Sequence, residues 1–325
     1  MAMNSAGQQH SASAIGRSNL RRADMDRVAV GYALVDNCSS QEACNAIIEH
    51  AKHGGEPAYA TTANAQHIVL LNRDRRLREI YDRADLVVPD GISLLLAARL
   101  YGRSLQERVT GVDMFQTLCG LAAENRLHVF LLGGRPGSAD RASVVLQQRF
   151  PGLQTSTYCP PVGFDKSKSG LEETAQAVRA ASPDLLFVAL GAPKQEYWID
   201  EHGLRLSVPV CVGVGGSFEM VAGVVRRAPL WIQKLNCEWL YRLCLEPRRL
   251  WRRYLIGNLE FAAIVARQRM RRAFLDAFLA LIGNRNFAAE LREPSLQHKC
   301  ELVLSVMSFA PREMTETHHS DALAG

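Results

Sequence analysis

The chain has 325 residues, of which 47% are hydrophobic and 22% charged, and its formal net charge is +5. This is ordinary globular composition, with room for one large α/β domain and an appendage. Residues 226–272 hold 12 Lys/Arg against 3 Asp/Glu, a local net of +9, so the remainder is net −4; the basic character is confined to one stretch, which argues against a nucleic-acid partner.

Residues 1–25 are polar, with no apolar h-region, and are expected to form a disordered tail and no signal peptide. Val28 to Val35 predicts the first strand. Ser39-Ser40-Gln41-Glu42 follows, with a Ser or Asp36-Asn37 as the cap, and Ala43 to His53 has helical spacing. A short strand, Pro57 to Thr62, leads into Asn64-Ala-Gln-His67 and an Arg-rich helix. Asp85-Leu-Val-Val-Pro-Asp-Gly91 reads as a strand and turn, and Ile92 to Tyr101 as a buried helix. Glu107 to Asp113 is a loop before a helix over Met114–Glu124. His128 to Gly134, Asp184 to Gly191 and Val208 to Val214 are apolar strands that end in glycine, with helices between them. The alternation predicts an α/β fold: a Rossmann-like, mainly parallel sheet with helices on both faces, followed by a helical basic C-terminal appendage. The expected boundaries are a tail over 1–25, a catalytic domain over 26–235, a membrane-associating appendage over 236–272 and a partly disordered extension over 273–325. Pro247 is expected to divide the appendage into two helices. No run of about 18 apolar residues spans a bilayer. The eight cysteines include no C-x-x-C pair and read as reduced core residues of a cytosolic protein.

Strand ends in an open α/β sheet line the ligand crevice. The ends at Gly133-Gly134, Gly191 and Gly215-Gly216 are expected to meet there, although glycine pairs also serve ordinary turns. No G-x-G-x-x-G follows the first strand and there is no P-loop, which weighs against a dinucleotide enzyme or an NTPase. Asp90, at a strand end, has two readings: a base for an acceptor hydroxyl or the cap of the next helix. Thr62 and Asn64 stand at another strand end and suit either a sugar or base contact or a turn and cap. Gln195 and Lys194 open a helix where a phosphate or sugar can approach. Arg108, Asp113 and Glu219 adjoin apolar helices and face either the cleft or solvent. His67, His128 and His202 lack metal-ligand spacing, so no structural metal is expected.

Taken in order, these segments form a specific set. They are Thr62-Ala-Asn64, Pro89-Asp-Gly91, Glu107-Arg-Val-Thr-Gly-Val-Asp113, Phe130-Leu-Leu-Gly-Gly134, Gly191-Ala-Pro-Lys-Gln-Glu196, Gly213-Val-Gly-Gly-Ser-Phe218, Arg226-Arg-Ala-Pro229, and Glu238-Trp-Leu-Tyr-Arg-Leu243 through Glu246-Pro-Arg-Arg249. The set resembles the WecG/TagA/CpsF family of glycosyltransferases (family 26) over roughly Val28 to Phe261. The resemblance implies an enzyme of the inner face of the cytoplasmic membrane, peripherally associated. It would move a hexosyl, N-acetylmannosaminyl or uronosyl group from a UDP-sugar to a polyprenyl-diphosphate-linked sugar, with inversion and without cofactor or metal, in exopolysaccharide or cell-envelope polysaccharide synthesis. Carried onto this chain, Asp90 matches the general base, Thr62 a residue near donor and acceptor, and Gln195 a conserved helix start. Arg242, Arg249 and Arg252 match arginines that hold diphosphate charge. On this reading Gly215 and Gly216 supply amides to the leaving diphosphate, and Trp239, Trp251 and Tyr254 rest at the lipid headgroups. A homo-oligomer is left open. The competing class is a non-catalytic peripheral membrane scaffold in an envelope-assembly complex; a nucleotide-sugar epimerase or dehydrogenase is a second enzyme reading.

Overall fold

The computed structural model describes Leu20 and residues 25–281, with the side chains of Arg249 and of 275–281 excepted. Most of the expected N-terminal tail, and the expected extension beyond 281, lie outside the described residues.

The first predicted strand is two. Strands β1 (Arg27–Val30) and β2 (Ala33–Asp36) pair antiparallel as a hairpin around Gly31-Tyr32. Gly31 takes φ +58°, the left-handed conformation that a two-residue hairpin turn requires at its first position. Asp36 is fully buried, 3.1 Å from Arg27, and accepts the Val87 N–H at 2.7 Å, which ties the hairpin to the main sheet.

Helix α1 (Ser40–His53) begins with a capping box between Ser39 and Glu42. Then come β3 (Ala58–Ala63), α2 (Ala65–Arg73), α3 (Arg75–Arg83), β4 (Leu86–Pro89), α4 (Ile92–Leu100), α5 (Gly111–Glu124), β5 (His128–Gly133), α6 (Ser138–Arg149), β6 (Gln154–Tyr158), α7 (Lys168–Ala181), β7 (Leu185–Ala189), α8 (Lys194–Glu201), β8 (Val210–Gly213) and α9 (Ser217–Val221). Strands β3 to β8 form one six-stranded parallel sheet in the order β4-β3-β8-β7-β5-β6. Alternate strand residues feed two cores. Leu185 and Phe187 pack towards α1, α5, α6 and α9, while Leu186 and Val188 pack towards α2, α4, α8 and the hairpin. Burial on both faces is why these strands read as unbroken apolar runs.

The C-terminal part is α10 (Leu230–Lys234), α11 (Glu238–Leu245), α12 (Pro247–Trp251), one π-helical turn over Arg252–Ile256, and α13 (Gly257–Leu281). Pro247 opens α12, where its missing N–H breaks no helical bond. Helix α13 runs unbroken through 272/273, where the extension was expected to begin. It returns to the core: buried Gln268 accepts the Gly31 N–H at 2.8 Å and donates to Ala29 O at 3.4 Å. Arg272 donates to Ala29 O at 3.1 Å and stacks 4.3 Å over Tyr101.

The hairpin turn is tight against this contact. A Cβ at Gly31 would lie 2.6 Å from Ile68 Cγ2. Gly31→Ala therefore combines left-handed strain with overpacking and is expected to cost about 2–4 kcal/mol in urea unfolding. A loss below about 0.5 kcal/mol, the scale of an ordinary surface substitution, would show that the turn relaxes freely.

Candidate active site

In a parallel sheet all the strand C-termini leave at one edge, and the loops gathered there enclose a cavity of about 430 Å³, within the usual size for a small-molecule site. Its floor is Thr62 in β3 and Asn64 just after it, Asp90 after β4, Gly191 and Gln195 after β7, and Val214 to Ser217 after β8. Arg108, Thr110 and Gly111 form one side. The other is closed by Glu238, Trp239 and Arg242 of α11, Arg253 and Tyr254 of the π turn, and Asn258 and Phe261 of α13.

Asp90 occupies the centre, half-buried. Its N–H donates to Ala63 O at 2.7 Å, which continues the β3–β4 ladder past Pro89. The cap of α4 is Gly91, with no side-chain cap bond, so the Asp90 carboxylate is not spent on the helix. Burial raises this carboxyl from 3.8 to about 6. The Gly111 N–H, Arg108 and Arg242 pull it back down, and Glu238 adds to the rise. An acid so placed titrates close to neutrality with hydrogen-bond donors around it, which suits proton transfer.

The remaining expected residues divide. Asn64 caps α2, its side chain accepting from Gln66 N at 3.0 Å and His67 N at 3.3 Å, and it also lines the cavity. Gln195 is buried; its Oε1 accepts the Gly215 N–H at 3.1 Å and its Nε2 donates to Glu196 Oε1 at 2.7 Å. The Gly215 amide is thus already bonded within the protein, although Gly215 and Gly216 both line the cavity. Asp113 lies outside the cavity wall, its carboxylate gripped by Arg227 at 2.6 Å on each oxygen. Glu219 is also outside, buried and accepting the Arg135 N–H at 2.8 Å. Lys194 pairs with Asp165 at 2.8 Å. Gly133-Gly134 does not line the cavity; a Cβ at Gly133 would meet Ala189 O at 2.9 Å, so this glycine serves strand packing.

Arg242 lines the cavity, whereas Arg252 is exposed and lies over Trp251 at 5.3 Å. Its neighbour Arg253, in the same π turn and also exposed, is the one of the two that lines the cavity. The Arg249 side chain lies outside the described residues. Trp239 and Tyr254, expected at lipid headgroups, pair at 5.9 Å and line the cavity, and Trp239, like Trp251, remains exposed. Arg253, Glu238, Asn258 and Phe261 were not assigned from the sequence. Glu238 stands inside a quoted motif, but nothing local gave it a direction. Among the described residues no cluster of His, Cys, Asp and Glu is arranged to hold a metal ion, and no helix is long and apolar enough to cross a membrane.

The model of the glycosyl transferase WecG/TagA/CpsF family matches residues 28–274. The chain belongs to this family. It is 32% identical over 212 residues to the N-acetylglucosaminyldiphosphoundecaprenol N-acetyl-beta-D-mannosaminyltransferase of Bacillus spizizenii, covering 65% of this chain and 80% of that protein. The Bacillus subtilis protein of that name is 32% identical over 198 residues, 61% of this chain and 75% of its own. The one from Staphylococcus aureus NCTC 8325 is 29% identical over 215 residues, 66% and 83%. The family resemblance carried by the ordered motifs is borne out, and with it glycosyltransferase activity.

Behind the cavity this WecG/TagA/CpsF protein holds a buried polar group. Glu196 is fully enclosed, and burial raises its carboxyl from 4.5 to about 7 against the opposing bond from Gln195. His67 lies beside it, Nε2 to Oε1 at 3.8 Å, and burial, assisted by Arg253, lowers it from 6.5 to about 3. Its Nδ1 accepts the Asn64 N–H at 3.2 Å, so the neutral ring carries its proton on Nε2, facing Glu196. A raised acid binds more protons folded than unfolded, so its stabilising effect is full below pH 4.5 and lost as pH rises to about 7. Glu196→Gln keeps an acceptor for Gln195 and removes this titration. Its stability relative to the parent is expected to rise by on the order of 3 kcal/mol across that window, read by urea unfolding as a function of pH. Parallel curves for the two proteins would mean that Glu196 is not held neutral.

Proposed function

We propose that this protein is an inverting glycosyltransferase that moves a sugar from a UDP-sugar to a polyprenyl-diphosphate-linked sugar, at the inner face of the cytoplasmic membrane, in synthesis of a cell-envelope polysaccharide. The names of its relatives make an N-acetylmannosaminyl donor and an N-acetylglucosaminyl-diphosphate-lipid acceptor the first pair to test. The observation that carries the reading is Asp90: a carboxyl shifted to about 6, in a cavity that also exposes Arg108, Arg242 and Arg253.

In the proposed single displacement Asp90 accepts the proton of the acceptor hydroxyl as that oxygen attacks the anomeric carbon. The bond to the UDP oxygen breaks, and the diphosphate leaves with the electron pair. Charge-assisted bonds from the three arginines offset the developing negative charge, so the reaction needs no metal. Thr62, Asn64 and Gln195 offer polar contacts for sugar hydroxyls on the floor. The neighbouring exposed Leu230, Trp231, Leu235 and Trp251 would rest on the membrane surface, with the basic segment facing anionic headgroups. A scaffold would gain nothing from a near-neutral acid at the centre of such a cavity.

Asp90→Asn should keep the fold and the donor affinity and lower turnover by roughly 10²–10⁴-fold, measured as UDP release with a short-chain prenyl-diphosphate sugar acceptor. Because the base acts ionised, kcat/KM of the parent should rise with pH through about 6, and chelators should leave turnover unchanged. Near-normal turnover in the Asn variant would remove Asp90 from the reaction.

A further inference from the structure

The Arg226-Arg-Ala-Pro229 motif has no part in the reaction as drawn. Arg227 does not line the cavity, yet it reaches two of its walls. Its Nη1 and Nη2 meet Asp113 Oδ1 and Oδ2 at 2.6 Å each, and its Nε lies 3.7 Å from Glu238 Oε1.

Each partner sits at the first turn of a helix that borders Asp90. Asp113 closes the first turn of α5: Thr110 Oγ1 donates to Asp113 Oδ2 at 2.5 Å, and the Asp113 N–H returns to Thr110 Oγ1 at 3.3 Å. Of the two residues between them in that turn, Gly111 presents its N–H to the Asp90 carboxyl and lowers its pKa. Glu238 is the first residue of α11, one turn before Arg242, and both line the cavity. One planar guanidinium therefore connects the wall that hydrogen-bonds Asp90 with the wall that supplies the cation facing it. A lysine could not span both carboxylates with that fork.

We infer that Arg227 is a positioning residue that holds the α5 and α11 entrances in register on either side of Asp90. The inference rests on the reading of Asp90 as the base. A purely structural role predicts something different. The Arg227 and Asp113 side chains are 22% and 48% exposed, and a pair so exposed contributes little to stability. Its loss should then be mild in both stability and turnover. A strut acting through Asp90 affects turnover far more than stability, since a small misplacement of reacting groups is costly.

The test uses the full chain with Arg227→Met, Arg227→Lys, Asp113→Asn and the Arg227→Met/Asp113→Asn double variant, each also combined with Asp90→Asn. Arg227→Met is expected to lower kcat on the order of 10²-fold with donor affinity and melting temperature little changed. Arg227→Lys should recover part of that loss. The double variant should be no worse than the poorer single, and Arg227→Met should cost little more once Asp90 is Asn. With one cation removed, the acid limb of kcat/KM should move to higher pH, leaving Arg108, Arg242, Glu238 and the Gly111 N–H around the carboxyl. The inference is overturned if kcat is unchanged, if the kcat loss follows the loss of stability with the acid limb unmoved, or if the Arg227 and Asp90 losses multiply. Normal turnover in Asp90→Asn alone would count against the base instead. Additive Arg227 and Asp113 losses would still sink the strut on their own.

Discussion

Parallel strands hydrogen-bond only when they run the same way, so every β-to-α connection of the six-stranded sheet emerges at one edge. That constraint brings Thr62, Asp90, Gln195 and Gly215 together from four strands that are far apart in the chain. It also fixes their backbones, since Thr62 lies within β3, Asp90 directly follows β4, and Gln195 and Gly215 lie in the connections after β7 and β8, strands whose side chains are buried on both faces. The groups of the site are thus held at the ends of rigid elements, where a small displacement has a large chemical effect.

The sheet edge supplies only a floor. The cavity becomes enclosed because the chain turns back over it: α11 and the π turn bring Glu238, Arg242 and Arg253, and α13 brings Asn258 and Phe261. What anchors this cover is a set of polar bonds to backbone at the hairpin, above all Gln268 to Gly31. A buried amide satisfied at both ends fixes one register of the helix, because sliding it by a residue would strand two polar groups. The hairpin, which contributes nothing to the cavity lining, is in this sense part of the cavity's construction.

The electrostatics follow from that enclosure. Water excluded from the floor raises Asp90 and Glu196 and lowers His67, all by the same cause, the cost of burying charge. The two acids differ in what surrounds them. Asp90 faces arginines and a backbone amide and stays open to the cavity, while Glu196 is sealed behind Gln195 and braces the amide that holds the Gly215 loop. One is arranged for proton exchange with a bound molecule, the other for holding shape.

The sequence by itself determined the α/β architecture, the family and the floor of the site. Unbroken apolar runs ending in glycine identify parallel strands, and Thr62, Asp90 and Gln195 stand at the end of such a run or in the connection after it. Those signals are local, set by burial period and backbone geometry within a few residues. It did not separate one strand from a hairpin over Val28–Val35, because an apolar run looks the same in either. Tertiary structure alone decided that Arg253 and not Arg252 borders the cavity, since that depends on how the π turn between α12 and α13 sits over the sheet edge. It alone decided that Asp113 and Glu219 are held by Arg227 and by the Arg135 N–H outside the cavity, and that Trp239 and Tyr254 pair at the cavity wall. Direction across a helix, and the partner of a charge 114 residues away, depend on how separate elements pack, and no local pattern of residues encodes that.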